Sequence, residues 1–165
     1  MNLARLFRHL VTPHWWALKP FPVPVLKSIE SAIGESEKRH DAELRFVVEG
    51  PMPLGALLAD STSRQRAIAL FAELRVWDTE HNSGVLIYVQ LLDRKVEIVA
   101  DRGINAKVGQ AFWCAVCGRM LEAFRAGDFE GGGTAAIAEI TEALATHFPP
   151  GAENPNELAD APVVL

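Results

Sequence analysis

The sequence predicts a layered α/β domain, with a small mixed sheet built around a central hairpin and helices on both faces. Three observations lead there. Glu43–Glu49, Val85–Leu91 and Lys95–Ala100 are enriched in Val, Ile, Phe and Tyr in the manner of strands. The stretches around them repeat apolar residues at the three-and-four spacing of amphipathic helices. The run 85–91 is also apolar on both alternations, with Val85, Ile87 and Val89 on one and Leu86 and Tyr88 on the other. A strand of that kind must be covered on both sides, so it belongs at the centre of the sheet. The order helix, strand, helix, hairpin, helix, helix then fits a sheet between helix layers.

Taken in order, residues 1–24 form a lead segment in which Leu3, Leu6, Phe7, Leu10 and Val11 share one helical face, with Arg5, Arg8 and His9 largely off it. Trp15, Trp16 and the extended Phe21-Pro22-Val23-Pro24 follow. A domain spans 25–150. It opens with a helix from Val25 to about Arg39 that turns Ile29, Ala32, Ile33 and Ser36 to one side. The strand Glu43–Glu49 ends at Gly50-Pro51-Met52-Pro53. Leu54–Ala59 is apolar but too short to assign. Thr62-Ser63-Arg64-Gln65 has the spacing of a capping box, ahead of a helix to about Val76 that buries Ala67, Leu70, Phe71 and Leu74. In the hairpin, a two-residue turn at Asp93-Arg94 would set Leu92 opposite Lys95 and Val85 opposite Arg102. Asn105 is expected to cap a long helix to about Arg125. Gly127 to Gly133 reads as a turn, Thr134 to about His147 as the last helix, and 151–165 as a flexible tail.

Length and composition narrow the classes. A chain of 165 residues, 49% hydrophobic and 22% charged, can bury a core without disulfides or metals. A formal net charge of −5 with no long basic stripe argues against nucleic acid as a partner. Two cysteines make no disulfide framework. No apolar run is long enough to span a bilayer, so the expectation is a cytoplasmic chain, peripheral to a membrane if the lead segment docks there. The plainer reading of the basic, Trp-bearing lead segment is that it packs on its own domain; the alternative is that it lies on a membrane surface or docks on a protein partner or membrane-associated complex.

One end of the hairpin gathers the chemistry-bearing residues. Asp78, Glu80 and Asn82, beside His81, lie in the loop entering the first hairpin strand, and Asp101 and Arg102 follow the second. Oxygen donors of this kind suit calcium or magnesium, so Asp78, Glu80, Asn82 and Asp101 are the candidate metal ligands and Arg102 the candidate ligand-binding residue. The alternating spacing is not an EF-hand, because it lacks the turn glycine and the closing bidentate glutamate. Cys114-x-x-Cys117 lies inside a helix rather than at its start and reads as a pair of packing thiols. Arg39-His40-Asp41 precedes a strand and lacks the glycine of a histidine-phosphatase motif, and there is no nucleophile elbow.

Three motifs carry a family resemblance: Asn82-Ser83-Gly84-Val85-Leu86, Asp93-Arg94-Lys95-Val96, and Phe124-Arg125-Ala126-Gly127-Asp128-Phe129. In order and spacing, from about Ile29 to Phe148, the chain resembles the TPM domain family. The resemblance implies an α/β fold with a sheet between helices. Its members include a thylakoid-lumen protein described as a calcium-binding acid phosphatase, and non-catalytic helpers of membrane complexes in photosystem repair or receptor modulation. Many bacterial members carry a signal peptide and a membrane helix; this chain resembles the short cytoplasmic form. Where the family commonly has Gly-Tyr-Gly-Leu-Glu, the chain has Asp101-Arg102-Gly103-Ile104-Asn105, lacks the downstream acids and introduces Lys107. Two functions are therefore expected as alternatives: a non-catalytic binding or accessory module with a divalent-cation site at the 77–84/101–103 end of the sheet, or a metal-dependent phosphomonoester hydrolase.

Overall fold

A computed structural model describes residues 2–79, 82–151 and 158–165. Four strands form one sheet in the order β3-β2-β1-β4, with β1 Glu43–Glu49, β2 Gly84–Gln90, β3 Lys95–Ala100 and β4 Val163–Val164. β1 is parallel to β2 and to β4, whereas β2 and β3 form the antiparallel hairpin, so the sheet is mixed. The pairing of Val47 with Val163 and Val48 with Val164 adds an edge strand from a segment that its composition marks as tail.

Eight helices occur among the described residues: α1 Leu3–Val11, α2 His14–Ala17, α3 Val23–Glu37, α4 Leu54–Leu58, α5 Ser63–Glu73, α6 Arg102–Val108, α7 Gln110–Arg125 and α8 Phe129–His147. Helices α3, α7 and α8 cover one face, where Ile29, Ile33, Trp113, Met120, Ile137 and Ile140 pack on Phe46, Val48, Ile87 and Ile98. Helix α5 covers the other, with Ala67 and Leu70 on Val47, Leu86, Tyr88 and Val99. Every residue of β2 is buried, as its double apolar alternation requires. The capping box forms as the spacing predicts: the Thr62 hydroxyl accepts from Gln65 N–H, and Gln65 Oε1 accepts from Thr62 N–H.

Three local expectations are corrected. Gln90 pairs with Lys95 and Val85 with Ala100, so the hairpin loop is Leu91–Arg94 rather than a two-residue turn. The Gln90 side chain causes this: its Oε1 accepts from the N–H groups of Leu92 and Asp93 at 2.8 and 3.1 Å, while its Nε2 donates to Gly50 O at 2.7 Å. Arg94 closes the loop at φ 52°. A register shift of two residues keeps every side chain on its expected face.

The long helix is split at Gly109 (φ 85°), and Asp101, not Asn105, caps the first piece. Asn105 instead accepts the indole N–H of Trp113 at 3.1 Å. Finally, α8 begins at Phe129, capped by Asp128, whose carboxylate accepts from Gly131 N–H at 2.8 Å. Glycines 131–133 are thus helical. Side chains at Gly132 and Gly133 would press on Phe124 of α7 and Ile29 of α3, so their absence lets three helices approach closely.

The lead segment docks by its polar side. Asp93, 10% exposed, receives Arg5 at 2.8 Å, Arg8 at 2.8 Å and His9 Nε2 at 3.1 Å. Met52 N–H donates to His9 Nδ1 at 3.0 Å, which leaves the ring proton on Nε2, facing Asp93. Burial opposes ionisation of Asp93, and the hydrogen bonds from Arg5 and His9 outweigh it, so its pKa lies below the ordinary carboxylate value. Leu3, Phe7, Leu10 and Val11 consequently face away from the domain and are 54–68% exposed. Removing the shared acceptor in Asp93→Ala is expected to loosen α1 by about 2–3 kcal/mol, because hydrogen bonds to a charged, largely buried group are among the stronger ones. Hydrogen exchange is the measurement: the α1 amides should lose protection while those of β1 and β2 keep theirs. Unchanged α1 protection would refute this account of the docking.

Candidate functional site

The expected end of the sheet is assembled by backbone contacts. Asp101 N–H donates to Gly84 O at 2.9 Å, and Glu43 N–H donates to Ser83 O at 3.2 Å. This sets the end of β3, the start of β2 and the start of β1 side by side. Ser83 ties the loop down twice: its N–H donates to the Thr79 hydroxyl at 2.8 Å, and its own hydroxyl donates to Asp41 O at 3.0 Å. Gly84 lies so close to Val76 that a Cβ there would fall 1.8 Å from the Val76 carbonyl oxygen. The loop is therefore pinched shut at its base, and Asp78, two residues beyond Val76, emerges from that pinch.

The candidate residues fare unequally. Asp78 is exposed, its N–H closing a turn on Arg75 O at 2.9 Å. Asn82 is exposed at φ 50°, a left-handed conformation that asparagine tolerates. Glu80 and His81 lie outside the described residues. Asp101 is only 9% exposed; its Oδ1 accepts from Arg102 N–H at 2.6 Å as the cap of α6. Its Oδ2 is buried and has no hydrogen-bond partner among the described residues. Arg102 is exposed at the first position of α6. Among the described residues, no three His, Cys, Asp or Glu side chains gather closely enough to hold a metal ion. The described donor set thus supplies one open, buried carboxylate oxygen at Asp101, with Asp78 and Asn82 on the adjoining loop. Lys107 acts elsewhere. Its ammonium donates to His147 O at 3.2 Å and lies 4.2 Å from the centre of the Phe148 ring, closing the end of α8.

Sequence reasoning missed the buried polar groups. At the same end, Glu37 is buried, with Oε1 accepting Leu44 N–H at 3.0 Å. Burial, added to by the charges of Glu43 and Asp160, pushes its pKa up to about 8 against the pull of the Leu44 hydrogen bond. These three acids line an open cleft of about 730 Å³ with Glu30, Glu35 and Lys38.

His40 is fully buried between Ser36 Oγ, 2.9 Å from Nε2, and Ala42 N–H, which donates to Nδ1. Thr141 donates to Ile137 O, so Ser36 donates to Thr141 and accepts from His40; the ring is held neutral with its proton on Nε2. Burial lowers its pKa to about 4. At the opposite end of β1, Glu49 accepts from Tyr88 OH at 2.5 Å and from Arg66 at 2.8 Å. Burial and the Glu49 charge push the Tyr88 phenol upward. For Glu49 and Tyr88 the signal that could have found them is a polar group on a strand whose neighbours are apolar; Glu37 and His40 lie off the strands and carry no such signal. Cys117, half-buried, is pushed up to about 11 by burial, as suits a packing thiol, whereas Cys114 is exposed.

A four-stranded mixed sheet between helix layers, with a pinched Asn-x-Gly loop beside a capping aspartate, defines the class: a layered α/β domain. The chain belongs to the TPM domain family, whose pattern matches residues 25–143. It is also similar to the BA42 protein of the psychrophilic bacterium Bizionia argentinensis, whose structure was solved by NMR; identity is 28%, the TM-score is 0.75, and the match covers 87% of this chain and 94% of that one. No curated protein matches the chain. No helix among the described residues is long and apolar enough to cross a membrane.

Proposed function

We propose that the chain is a non-catalytic binding or accessory module whose contact surface is the lead segment. One observation carries this reading. Helix α1 uses its basic side to dock on Asp93 and turns its apolar side outward, and Trp15 and Trp16 are exposed beside it. Six large apolar side chains exposed within one short segment are what an interaction surface leaves uncovered in the free chain. The test has two readouts. Phosphate release from p-nitrophenyl phosphate, with calcium or magnesium, should stay at the buffer rate. Association of the full chain with the protein or membrane fraction of a lysate should weaken in the double variant Phe7→Ser, Trp16→Ser.

A second reading is favoured by the open Oδ2 of Asp101: a calcium- or magnesium-dependent phosphomonoester hydrolase. In it, Asp78, Glu80, Asn82 and Asp101 would hold a cation able to polarise a phosphoryl group, and Arg102 would pair with phosphoryl oxygens. Asp101→Asn discriminates cleanly, because asparagine can still cap α6 while the charge is lost. Its stability is expected to stay within about 1 kcal/mol of the parent chain. Metal-dependent phosphate release that Asp101→Asn abolishes would reverse the order of the two readings. A saturable cation shift at Gly84, Asp101 and Arg102 in NMR, without turnover, would make the module a cation-binding one.

A further inference from the structure

The pole formed by α1 and α2 combines two properties, exposed apolar side chains and basic charge. Phe7, Leu10, Trp15 and Trp16 are 53–69% exposed on it. Residues 2–29 also contain no Asp or Glu, but carry Arg5, Arg8, Lys19 and Lys27. Arg94 and Lys95, both exposed, flank the hairpin loop on which α1 sits. The carboxylate at the base of α1, Asp93, is already shared by Arg5, Arg8 and His9. The chain as a whole has a net charge of −5, but the segment that carries this apolar patch is basic, and the carboxylate beneath α1 is already paired.

The arrangement of the helix narrows what covers it. Basic residues that anchor α1 inward hold its apolar stripe outward in a fixed orientation, so the stripe needs no reorganisation to meet a flat surface. The tryptophans supply rings that favour the level of lipid headgroups, and Lys19 lies 5.4 Å from the centre of the Trp15 ring, placing a cation beside one of them. We propose that this pole docks on an anionic lipid surface: the outward stripe of α1 and Trp15–Trp16 enter the headgroup region, and Lys19 meets lipid phosphates. The inference rests on the accessory-module reading and names the partner of its contact surface. Helix α1 has nine residues, too few to bind by apolar burial alone, so the electrostatic part is indispensable and the association is reversible.

Vesicle sedimentation tests this with the full chain. Vesicles of phosphatidylcholine mixed with phosphatidylglycerol should bind at least roughly tenfold more strongly than phosphatidylcholine alone, and raised salt should release the protein. Trp fluorescence should shift to the blue on binding. Phe7→Ser with Trp16→Ser should weaken binding at least roughly tenfold, since two large apolar groups no longer leave water. Lys19→Glu, which leaves the stripe intact, should weaken it too. Unchanged melting temperatures confirm that the variants remain folded. No preference for anionic vesicles, or binding that survives both variants, overturns the proposal. So does a dimer in sedimentation velocity that the double variant dissolves, because a second copy then covers the stripe. Lipid failure with retained, variant-sensitive association with a protein fraction overturns the lipid inference alone; metal-dependent phosphate release counts against the module reading instead.

Discussion

Gly84→Ala is expected to cost at least about 3 kcal/mol of folding stability, seen as a large fall in the urea midpoint. The obstacle is backbone: the new Cβ would sit 1.8 Å from Val76 O and 2.9 Å from both the Val76 carbonyl carbon and Cγ1. A flexible side chain could swing aside, but a carbonyl just beyond the end of α5 can retreat only by pulling β2 from its neighbours. Those neighbours are held by the Leu44–Val85 and Val85–Ala100 registers and by the Asp101 N–H bond to Gly84 O, so the strain spreads through three strands. Gly118 supplies the control. It is exposed in mid-α7 with open space around its missing Cβ, so Gly118→Ala should stabilise by about 0.5–1 kcal/mol. A Gly84→Ala midpoint within error of the parent would show that the loop does not press on β2.

Between pH 6.5 and 8 the melting temperature is expected to fall, and Glu37→Gln is expected to flatten that slope. Glu37 has its folded pKa raised from 4.5 to about 8. Its protonated form belongs to the folded state, so its contribution is fully present below pH 4.5 and is lost as pH rises towards 8. His40, lowered from 6.5 to about 4, acts in the opposite direction. It favours the folded state fully above pH 6.5 and withdraws that support as pH drops towards 4. The two slopes oppose each other at mildly acidic pH, and above about 6.5 only the Glu37 slope remains. Over that window it amounts to about 2 kcal/mol, or roughly 4–8 °C. Glutamine keeps the Leu44 hydrogen bond and removes the proton. A parent chain whose melting temperature is flat across this range would refute the assignment.

The fold was legible because its strongest signals are local and redundant. The doubly apolar β2, the Thr62 capping box and the boundaries of β1 and β3 were all readable from spacing. The errors arose where one side chain or one glycine decides. Gln90 holding the turn, Gly109 splitting a helix and Asp128 starting α8 early leave no periodic trace. The edge strand β4 was unreadable for a different reason: two valines become a strand only through a partner far away in the chain.

The loop and Asp101 share one end of the sheet, as the hairpin spacing predicts, but Asp101 also caps α6, a role that its sequence context assigns to Asn105 instead. The motifs behind the family resemblance have backbone explanations as well. Asn82 and Arg94 take left-handed conformations, Gly84 clears Val76, Gly127 has φ 85°, and Phe124 stacks on Phe129 with ring centres 5.0 Å apart. Such motifs announce a fold more directly than a reaction.

The parallel pairing of β4 with β1 also constrains the order of assembly. β1 emerges early during synthesis and acquires β2 as soon as the next helices and strand follow, whereas its other edge stays open until Val163 and Val164 arrive. Throughout that interval the N–H and C=O groups on that edge are a template for any extended segment, including the same strand of a neighbouring nascent chain. Val163 and Val164 cover that edge at Val47 and Val48. Yield on overexpression, rather than equilibrium stability, is the property that a disturbed β4 would damage first.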